Sequence, residues 1–191
     1  EVGSGRGGGA SYIKRYLAPK TMTGVDFSPA AIGFCRARHQ VADLRFIPGD
    51  AEALPFADKT FYPVINVKSS HCYGSMAQFV SQVARVLRPG GYLLFADFRA
   101  SQASAQLERQ LTQPGLAVVR KVDITPHVLA ALDTYNDAKL ALIQQQMHWW
   151  MRKLFQNFAA VKGSPLYESF KDKSMVYHHY LLRKSSPTAD Q

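Results

Sequence analysis

Short apolar runs alternate with amphipathic stretches along most of this chain. The apolar runs are bounded by glycine, proline or aspartate, a pattern typical of strands buried in a parallel sheet. We predict strands over 22–26, 44–48, 61–67, 92–98, 116–122 and 174–182. The amphipathic stretches predict helices over 10–18, 29–40, 76–87 and 102–111, a further helix opened by Thr125 and Pro126, and then a long helical stretch to about Phe158. Strands alternating with helices indicate a doubly wound α/β domain.

A glycine-rich segment precedes the first predicted helix. Gly3, Gly5 and Gly7 alternate after Glu1, and Gly3, Gly5 and Gly8 also satisfy the dinucleotide fingerprint. Residues without side chains let the backbone turn tightly off a strand and let a ligand approach the main chain. The helix that follows presents unpaired N–H groups there. Because either pattern alone is weak, a nicotinamide cofactor and S-adenosylmethionine (SAM) both stay open at this point.

The start of the chain bears on the first strand. Glu1 is expected to be the last residue of that strand, which would then be truncated. Strands of folded domains are usually longer than this. We therefore expect the native polypeptide to carry residues before Glu1, and localisation signals among them would be missing here.

Carboxylates follow the next two predicted strands. Asp26 ends the second strand, roughly 20 residues past the glycine loop, where an acidic residue accepts the ribose hydroxyls of a nucleoside. A helix-capping role is the alternative, but Ser28 and Pro29 already supply the cap signals. Asp50 follows the third strand and can accept from the amine of an adenine, while the Ala51 amide can donate to the ring. The alternative for Asp50 is a Gly-Asp turn.

Candidate acceptor chemistry comes after the fourth and fifth strands. His71 follows the fourth strand and Asp97 ends the fifth, and such ends meet at one edge of the sheet. Histidine is the side chain best suited to take a proton near neutral pH. We predict His71 as general base, with Asp97 orienting it or sharing the deprotonation; a loop histidine bonded to backbone is the alternative. Tyr73 either lines an acceptor pocket or packs.

The long helical stretch carries many large apolar residues at helical spacing. A core-facing helix explains them, and a flap over an apolar acceptor is the other interpretation. Trp149 and Trp150 are adjacent, so on a helix they point about 100° apart, which is more than one buried face needs. We predict both as acceptor contacts in a lid within 112–173, against the alternative that both are core.

Charge and cysteine content narrow the classes of partner. The formal net charge is +9, but the basic residues are scattered, so we expect no nucleic-acid partner. The charge would favour an anionic membrane surface and leaves a peripheral membrane contact open. No apolar run is long enough for a membrane span.

Cys35 and Cys72 form no disulfide framework and no metal-ligand spacing, so we predict reduced thiols in a cytoplasmic protein and no metal. The oligomeric state stays open.

Four segments together carry a family resemblance. EVGSGRGGG, TGVDFSP, GDAEALPF and RVLRPGGYLLFAD resemble, in order and spacing, the class I SAM-dependent methyltransferases of the methyltransferase type 11 kind. They are more specific than the glycine loop and displace the dehydrogenase interpretation. GGGASYI, SSHCYG, FADFR and ESFKDKSMVYHHYLLRK further resemble the phthiotriolone/phenolphthiotriolone dimycocerosate and glycopeptidolipid O-methyltransferases. Tyr62 stands where the family usually has Asp, and Pro63 is unusual there.

The resemblance implies a fold and a set of cofactor residues. The fold would be a Rossmann-like α/β domain over 1–184 with a seven-stranded sheet, its last strand antiparallel and its first truncated, followed by a disordered tail at 185–191. Asp26 would hold the SAM ribose, and Asp50 and Ala51 its adenine. Around the methionyl part the family would place Glu1, Gly3, Ser4 and Gly5, and we add Phe27 and Val67, which end or follow strands. In related enzymes a histidine and an aspartate match His71 and Asp97 as the base pair.

The resemblance also implies a reaction. We expect transfer of a methyl group from SAM, leaving S-adenosylhomocysteine, to a hydroxyl of a small-molecule, lipid or natural-product acceptor. A C-methyltransferase of a quinone or terpenoid shares the fold and depends less on a strong base. A SAM-binding module without turnover is the alternative outside enzymes, and the presence of His71 and Asp97 speaks against it.

Overall fold

The structure is a computed structural model that describes residues 1–112 and 115–186, so most of the predicted tail lies outside the described residues. The strands are β1 (Met22–Asp26), β2 (Leu44–Pro48), β3 (Phe61–Val67), β4 (Leu87–Ala100), β5 (Leu116–Asp123) and β6 (Met175–Lys184). The helices are α1 (Gly8–Tyr16), α2 (Pro29–Arg38), α3 (Met76–Val86), α4 (Ser104–Thr112), α5 (Thr125–Thr134), α6 (Asn136–Gln146), α7 (Arg152–Phe158) and α8 (Pro165–Lys171). Three of the predicted strand ranges agree with the structure at both ends, over 22–26, 44–48 and 61–67.

The predicted seven-stranded sheet is wrong in its strand count. The described residues form six strands in two sheets. One is a parallel β1–β2 pair, and the other has four strands in the order β3-β4-β6-β5, with the last strands antiparallel. Where the first strand was expected, the structure has a single bridge from Val2 to Val25. The Val2 N–H donates to the Ile65 carbonyl at 2.8 Å, and Glu1 O accepts from the Val25 N–H at 2.9 Å. Glu1 and Val2 thus hydrogen-bond to both β1 and β3 but are too short for a ladder.

β4 differs from its predicted start at residue 92. It begins at Leu87 and runs through Arg88, Pro89, Gly90 and Gly91, which lie between the predicted helix and the predicted strand, and its pairing with β3 shifts register between Phe61 and Pro63. Pro63 has no N–H to donate, so proline is tolerated at such an irregularity. Beyond the shift the strands pair regularly, with Val67 opposite Ala96. The register brings the carboxyl ends of both strands, and the loops after them, to one edge.

The chain divides into two compact units. The first contains Glu1–Asp97, Gln106–Lys121 and the C-terminal part from Tyr180. Its core joins α3 to the sheet: Phe79, Val83 and Val86 are fully buried among β-strand residues such as Leu93. Ser75 Oγ accepts from the Gln78 N–H and caps α3, and serine is a preferred residue at this position.

The second unit contains Phe98–Ala105 and Val122–His179, and it corrects the predicted long helix. Helix α5 is the predicted helix that opens at Thr125, whereas two helices, α6 and α7, occupy the predicted long stretch, because Met147 adopts extended backbone after α6. Helix α8 was not predicted, although Ser164 and Pro165 carry its start signals: Ser164 Oγ accepts from the Tyr167 N–H. Among residues 1–112 and 115–186, no helix is long and apolar enough to cross a membrane.

Candidate active site

The glycine loop lies between β1 and β3 and is held in left-handed backbone. Gly3 has φ +71° and Gly5 φ +53°, and the Gly3 and Ser4 N–H groups both donate to Val25 O at 2.9 Å. A Cβ at Gly3 would collide with Ser69 Oγ and lie 3.0 Å from Tyr73 Oη. The loop after β3 therefore closes directly over Gly3, and only glycine fits there.

Gly3→Ala should lower both the melting temperature and the affinity for S-adenosylhomocysteine. The left-handed backbone alone costs about 1–2 kcal/mol for a residue with a Cβ, and the collision with Ser69 adds to it. Thermal unfolding and calorimetry would measure the two effects. Gly33→Ala is the matched control: Gly33 lies in α2 with open space around it, so alanine should stabilise by about 0.5–1 kcal/mol. Parental binding by Gly3→Ala would contradict the assignment of this loop.

A cavity of about 550 Å³ opens beside the glycine loop, within the usual range for small-molecule sites. It brings together six of the residues predicted to bind cofactor. They are Gly3, Gly5, Asp26, Phe27, Asp50 and Ala51. The predicted acceptor residue Tyr73 lines the same cavity, together with Lys68, Ser69 and Cys72. The other three predicted cofactor residues, Glu1, Ser4 and Val67, do not line it.

Two of those three are nonetheless polar groups buried at the loop. Among the described residues, Glu1 Oε2 and Ser4 Oγ are buried without a hydrogen-bond partner. Burial raises the pKa of the Glu1 carboxyl above its ordinary value. Buried polar atoms normally find partners, so orphaned ones beside a glycine cradle fit a polar ligand such as the methionyl end of SAM. Val67 differs, since it ends β3 with its side chain about half exposed.

Asp26 combines its predicted position with a structural task. Its Oδ2 accepts from the Gly5 N–H at 2.7 Å and its Oδ1 from the Ser28 N–H at 3.0 Å. The carboxylate therefore holds the glycine loop and the turn into α2, so the capping alternative describes part of what it does. Each carboxylate oxygen has two acceptor positions, which leaves capacity for ribose hydroxyls.

Asp50 also forms the turn that was its alternative. Its Oδ1 accepts from the Glu52 N–H at 2.8 Å, and the residue is exposed at the cavity, whereas Ala51 is buried. Glu52 was missed by sequence reasoning. Its Oε1 accepts from the Gly74 N–H at 2.7 Å and so links the loop after β2 to the loop after β3. A second carboxylate two residues beyond Asp50 was the available signal.

A buried cluster of polar side chains packs against Gly3. Asn66 is fully buried in β3, and its Nδ2 lies 2.8 Å from Tyr73 Oη, 2.9 Å from Ser69 Oγ and 3.0 Å from Val2 O. Sequence reasoning missed Asn66, although an amide inside an apolar strand was the signal. Burial raises the pKa of Tyr73 to about 12, so its hydroxyl stays protonated at neutral pH. Tyr73 both lines the cavity and packs on Phe79, so its position agrees with both alternatives, a pocket-lining residue and a packed one.

His71 and Asp97 meet at the edge of the sheet, where the sequence predicted them to meet. His71 Nδ1 lies 3.0 and 3.2 Å from the two carboxylate oxygens of Asp97, which is buried. Asp97 Oδ2 also accepts from the His71 N–H at 3.0 Å and from Ser70 Oγ at 2.6 Å. A short 3₁₀ helix, Ser70–Cys72, sets this geometry. The buried carboxylate thus fixes both backbone and ring of His71, whose catalytic role stays a prediction.

Trp149 and Trp150 lie in the second unit, in the turn between α6 and α7. Their exposed fractions are 76% and 65%, so the core alternative is wrong for both. Their role as acceptor contacts in a lid stays a prediction.

Both cysteines are free thiols, with Cys35 buried and Cys72 exposed. Within the described ranges, no group of three histidine, cysteine, aspartate or glutamate side chains is arranged to hold a metal.

Comparison with known proteins decides the family. A family model described as a methyltransferase domain matches residues 1–95. The phthiotriol/phenolphthiotriol dimycocerosates methyltransferase of Mycobacterium leprae is 36% identical over 184 residues, which are 96% of this chain and 68% of that protein. The chain belongs to the class I SAM-dependent methyltransferases. The resemblance drawn from its four segments is thereby confirmed.

Other methyltransferases and related folds give the same picture. The fatty-acid O-methyltransferase of Mycolicibacterium smegmatis is 38% identical over 96% of this chain and 66% of its own length. The chain spans about two thirds of the length of the curated relatives it matches. The solved [4+2]-cyclase SpnF superposes with a TM-score of 0.77 over 97% of this chain and 73% of its own, at 20% identity. That likeness concerns the fold alone, and fold does not fix the reaction.

Proposed function

We propose that this chain is the catalytic part of a SAM-dependent O-methyltransferase acting on a lipid acceptor. The observation that carries the proposal is the His71–Asp97 pair, 3.0 Å apart, adjoining the Cys72 and Tyr73 wall of the cavity. A hydroxyl is a poor nucleophile until its proton is removed. A histidine held by a buried carboxylate suits that step. A carbon acceptor or a binding module would not require such a pair.

The cofactor assignment is supported by the cavity and the loop together. When bound, SAM supplies a methyl group on a sulfonium, which an acceptor atom displaces in line. Asp26 would hold the ribose, Asp50 and Ala51 the adenine, and the Gly3–Gly5 loop with Glu1 and Ser4 the methionyl end. A displacement of this kind depends mostly on alignment, so the residues that fix the two loops matter for rate. Glu52, which bonds Gly74, is one of them.

His71 and Tyr73 would have different tasks at the acceptor side. With Nδ1 turned to Asp97, the neutral imidazole that donates this hydrogen bond carries its lone pair on Nε2. His71 Nε2 would accept the acceptor's proton, and Asp97 would stabilise the resulting cation. Tyr73 keeps its proton because its pKa is raised to about 12, so it serves as a hydrogen-bonding wall rather than as a base.

The lipid acceptor is supported by the relatives. Their names specify dimycocerosates and fatty acids as substrates, and the fatty-acid enzyme is an O-methyltransferase. The chain would be tested with methyl-labelled SAM and either a long-chain secondary alcohol or a long-chain fatty acid. Mass spectrometry should find a methyl ether or a methyl ester. A methyl group on carbon would indicate C-methylation instead, and binding of S-adenosylhomocysteine with no product from any acceptor would indicate a binding module.

Asp26→Ala should weaken binding of S-adenosylhomocysteine by about 1–3 kcal/mol. It removes charged acceptors of ribose hydrogen bonds and also the bond that holds Gly5. Isothermal titration calorimetry would measure the loss, and the parent should not bind NAD. Asp137→Ala, at an exposed position in α6, is the matched control and should leave affinity unchanged. Equal affinities for the two variants would remove Asp26 from the cofactor site.

A further inference from the structure

One segment of the second unit combines exposed apolar side chains with basic residues and contains no acidic residue. The aromatic–basic segment, residues 138–162, contains Lys139, Arg152, Lys153 and Lys162 but no aspartate or glutamate. It includes most of α6, all of α7 and the turn between them. The charges within this segment are therefore all basic, whereas a solvated surface usually mixes both signs.

Four large apolar side chains of this segment point into solvent. Trp149, Trp150, Leu154 and Phe158 are each about two-thirds exposed or more. Leu154 and Phe158 are four residues apart on α7 and therefore share one face. Leaving large apolar surface in water costs about 25 cal/mol per Å², so a cluster of this kind marks a surface that meets something else.

The turn that presents the tryptophans is fixed from inside the segment. The Arg152 guanidinium donates to Met147 O at 3.2 Å and to Gln144 O at 2.9 Å, which joins the end of α6 to the start of α7. The Trp150 ring lies 6.5 Å from the ring of His148. Trp149 and Trp150 thus lie in a turn whose backbone carbonyls are hydrogen-bonded by the Arg152 side chain.

The basic charge of this segment favours an anionic lipid bilayer as its binding partner. Tryptophan rings prefer the boundary between water and hydrocarbon, and each lysine or arginine near an anionic bilayer adds attraction. Lys153 is exposed beside Leu154, and Lys162 is exposed too, although its Nζ lies 3.7 Å from Asp133 Oδ1, which balances part of its charge. A second copy of the segment would bring like charges together, which disfavours self-association. The chain as a whole, at +9, adds to the attraction.

We propose that the aromatic–basic segment docks on the surface of an anionic lipid bilayer, with Trp149, Trp150, Leu154 and Phe158 entering the interface. Docking there would deliver the chain to the surface in which long acyl compounds reside. The inference goes beyond the proposed function and is independent of it, because binding is measured without methyl donor or acceptor. Failure of docking and failure of methyl transfer are therefore separate results.

The chain offers a direct probe, since its two tryptophans both lie in this segment. Vesicles of phosphatidylglycerol and phosphatidylcholine in equal parts should shift tryptophan emission to shorter wavelength and carry the protein down on sedimentation. Pure phosphatidylcholine should do neither, and high salt should weaken the effect. Unchanged emission with the anionic vesicles would overturn the proposal. So would a shift that appears without lipid as the protein concentration rises, because a second copy would then cover the surface.

Variants make the test specific. Lys153→Gln should reduce partitioning onto the anionic vesicles about fivefold, the usual worth of one interfacial cation. Trp150→Ala should reduce it further, with little change in melting temperature because the side chain is exposed. Tyr16→Ala is the matched control, since Tyr16 is an equally exposed aromatic residue on α1 of the first unit. A loss of partitioning in Tyr16→Ala as large as in Trp150→Ala would overturn the assignment to this segment.

Discussion

His71→Ala should lower the rate of methyl transfer to a hydroxyl acceptor about 10²- to 10⁴-fold, the usual contribution of a general base. That loss corresponds to about 2.7–5.4 kcal/mol in the activation free energy. Affinity for S-adenosylhomocysteine should hardly change, because the imidazole is bonded to Asp97 and does not line the cavity of the predicted cofactor residues. Single-turnover kinetics and calorimetry would measure the two quantities.

The acceptor itself supplies the sharpest control for this variant. A fatty acid is ionised near neutral pH and needs no base, so His71→Ala should keep most of its rate with a fatty acid while losing it with a long-chain alcohol. His127→Ala, at an exposed histidine in α5, should leave both rates unchanged. If His71→Ala loses both rates equally, the imidazole positions the acceptor rather than deprotonating it. A parental rate with the alcohol would return His71 to a structural role and favour C-methylation.

The parts of the fold that the sequence predicted are those governed by local rules. β1 to β3 have the predicted bounds because each is a short apolar run with clear breakers at both ends. The cap of α2 follows from Ser28, whose hydroxyl accepts from the Ala31 N–H. Asp26 and Asp50 reach one cavity because both follow strands of the same parallel pair.

The parts that failed depend on tertiary context. Helical spacing runs unbroken through Met147, yet that residue adopts extended backbone, and the Arg152 side chain satisfies carbonyls at the break. No local signal announces such a contact. The Arg-Pro-Gly-Gly segment resembles a turn, but in the structure it is part of β4. The pairing of β4 with β3 shifts register there, next to Pro63. Periodicity likewise placed Trp150 on one helix face and could not tell core from surface, because it measures spacing and not what lies opposite.

The site shows the same division. Titratable residues at strand ends were predicted from the sequence, since their chemistry is visible in the residue type. The residues that hold them, Asn66, Ser69 and Ser70, are small polar groups whose importance comes only from what they touch. Asn66 alone contacts Val2, Ser69 and Tyr73, and these contacts span residues far apart in sequence. Titratable side chains at strand ends can therefore be proposed from the sequence, whereas the small polar residues that hold them cannot.

Asp97 gives the second large expected effect, because its carboxylate determines which imidazole nitrogen of His71 carries the proton. The Asp97 carboxylate can only accept, so it favours the imidazole tautomer with the proton on Nδ1 and the lone pair on Nε2. An asparagine would offer an N–H to Nδ1 and favour the opposite tautomer, in which Nε2 cannot accept a proton. In a serine protease triad the equivalent change lowers the rate about 10⁴-fold. We expect Asp97→Asn to lower methyl transfer to a hydroxyl acceptor about 10²- to 10⁴-fold.

The double variant tests whether Asp97 acts through His71. If it does, His71→Ala combined with Asp97→Asn should be no slower than His71→Ala alone, since residues that act as one unit are non-additive. Ser70→Ala is the matched control, because it removes a different hydrogen bond to Asp97 Oδ2 and leaves the tautomer alone. It should lower the melting temperature modestly and keep most of the rate. Rate losses that multiply in the double variant would mean that Asp97 contributes through the structure of the loop, since its effect would then not depend on the imidazole.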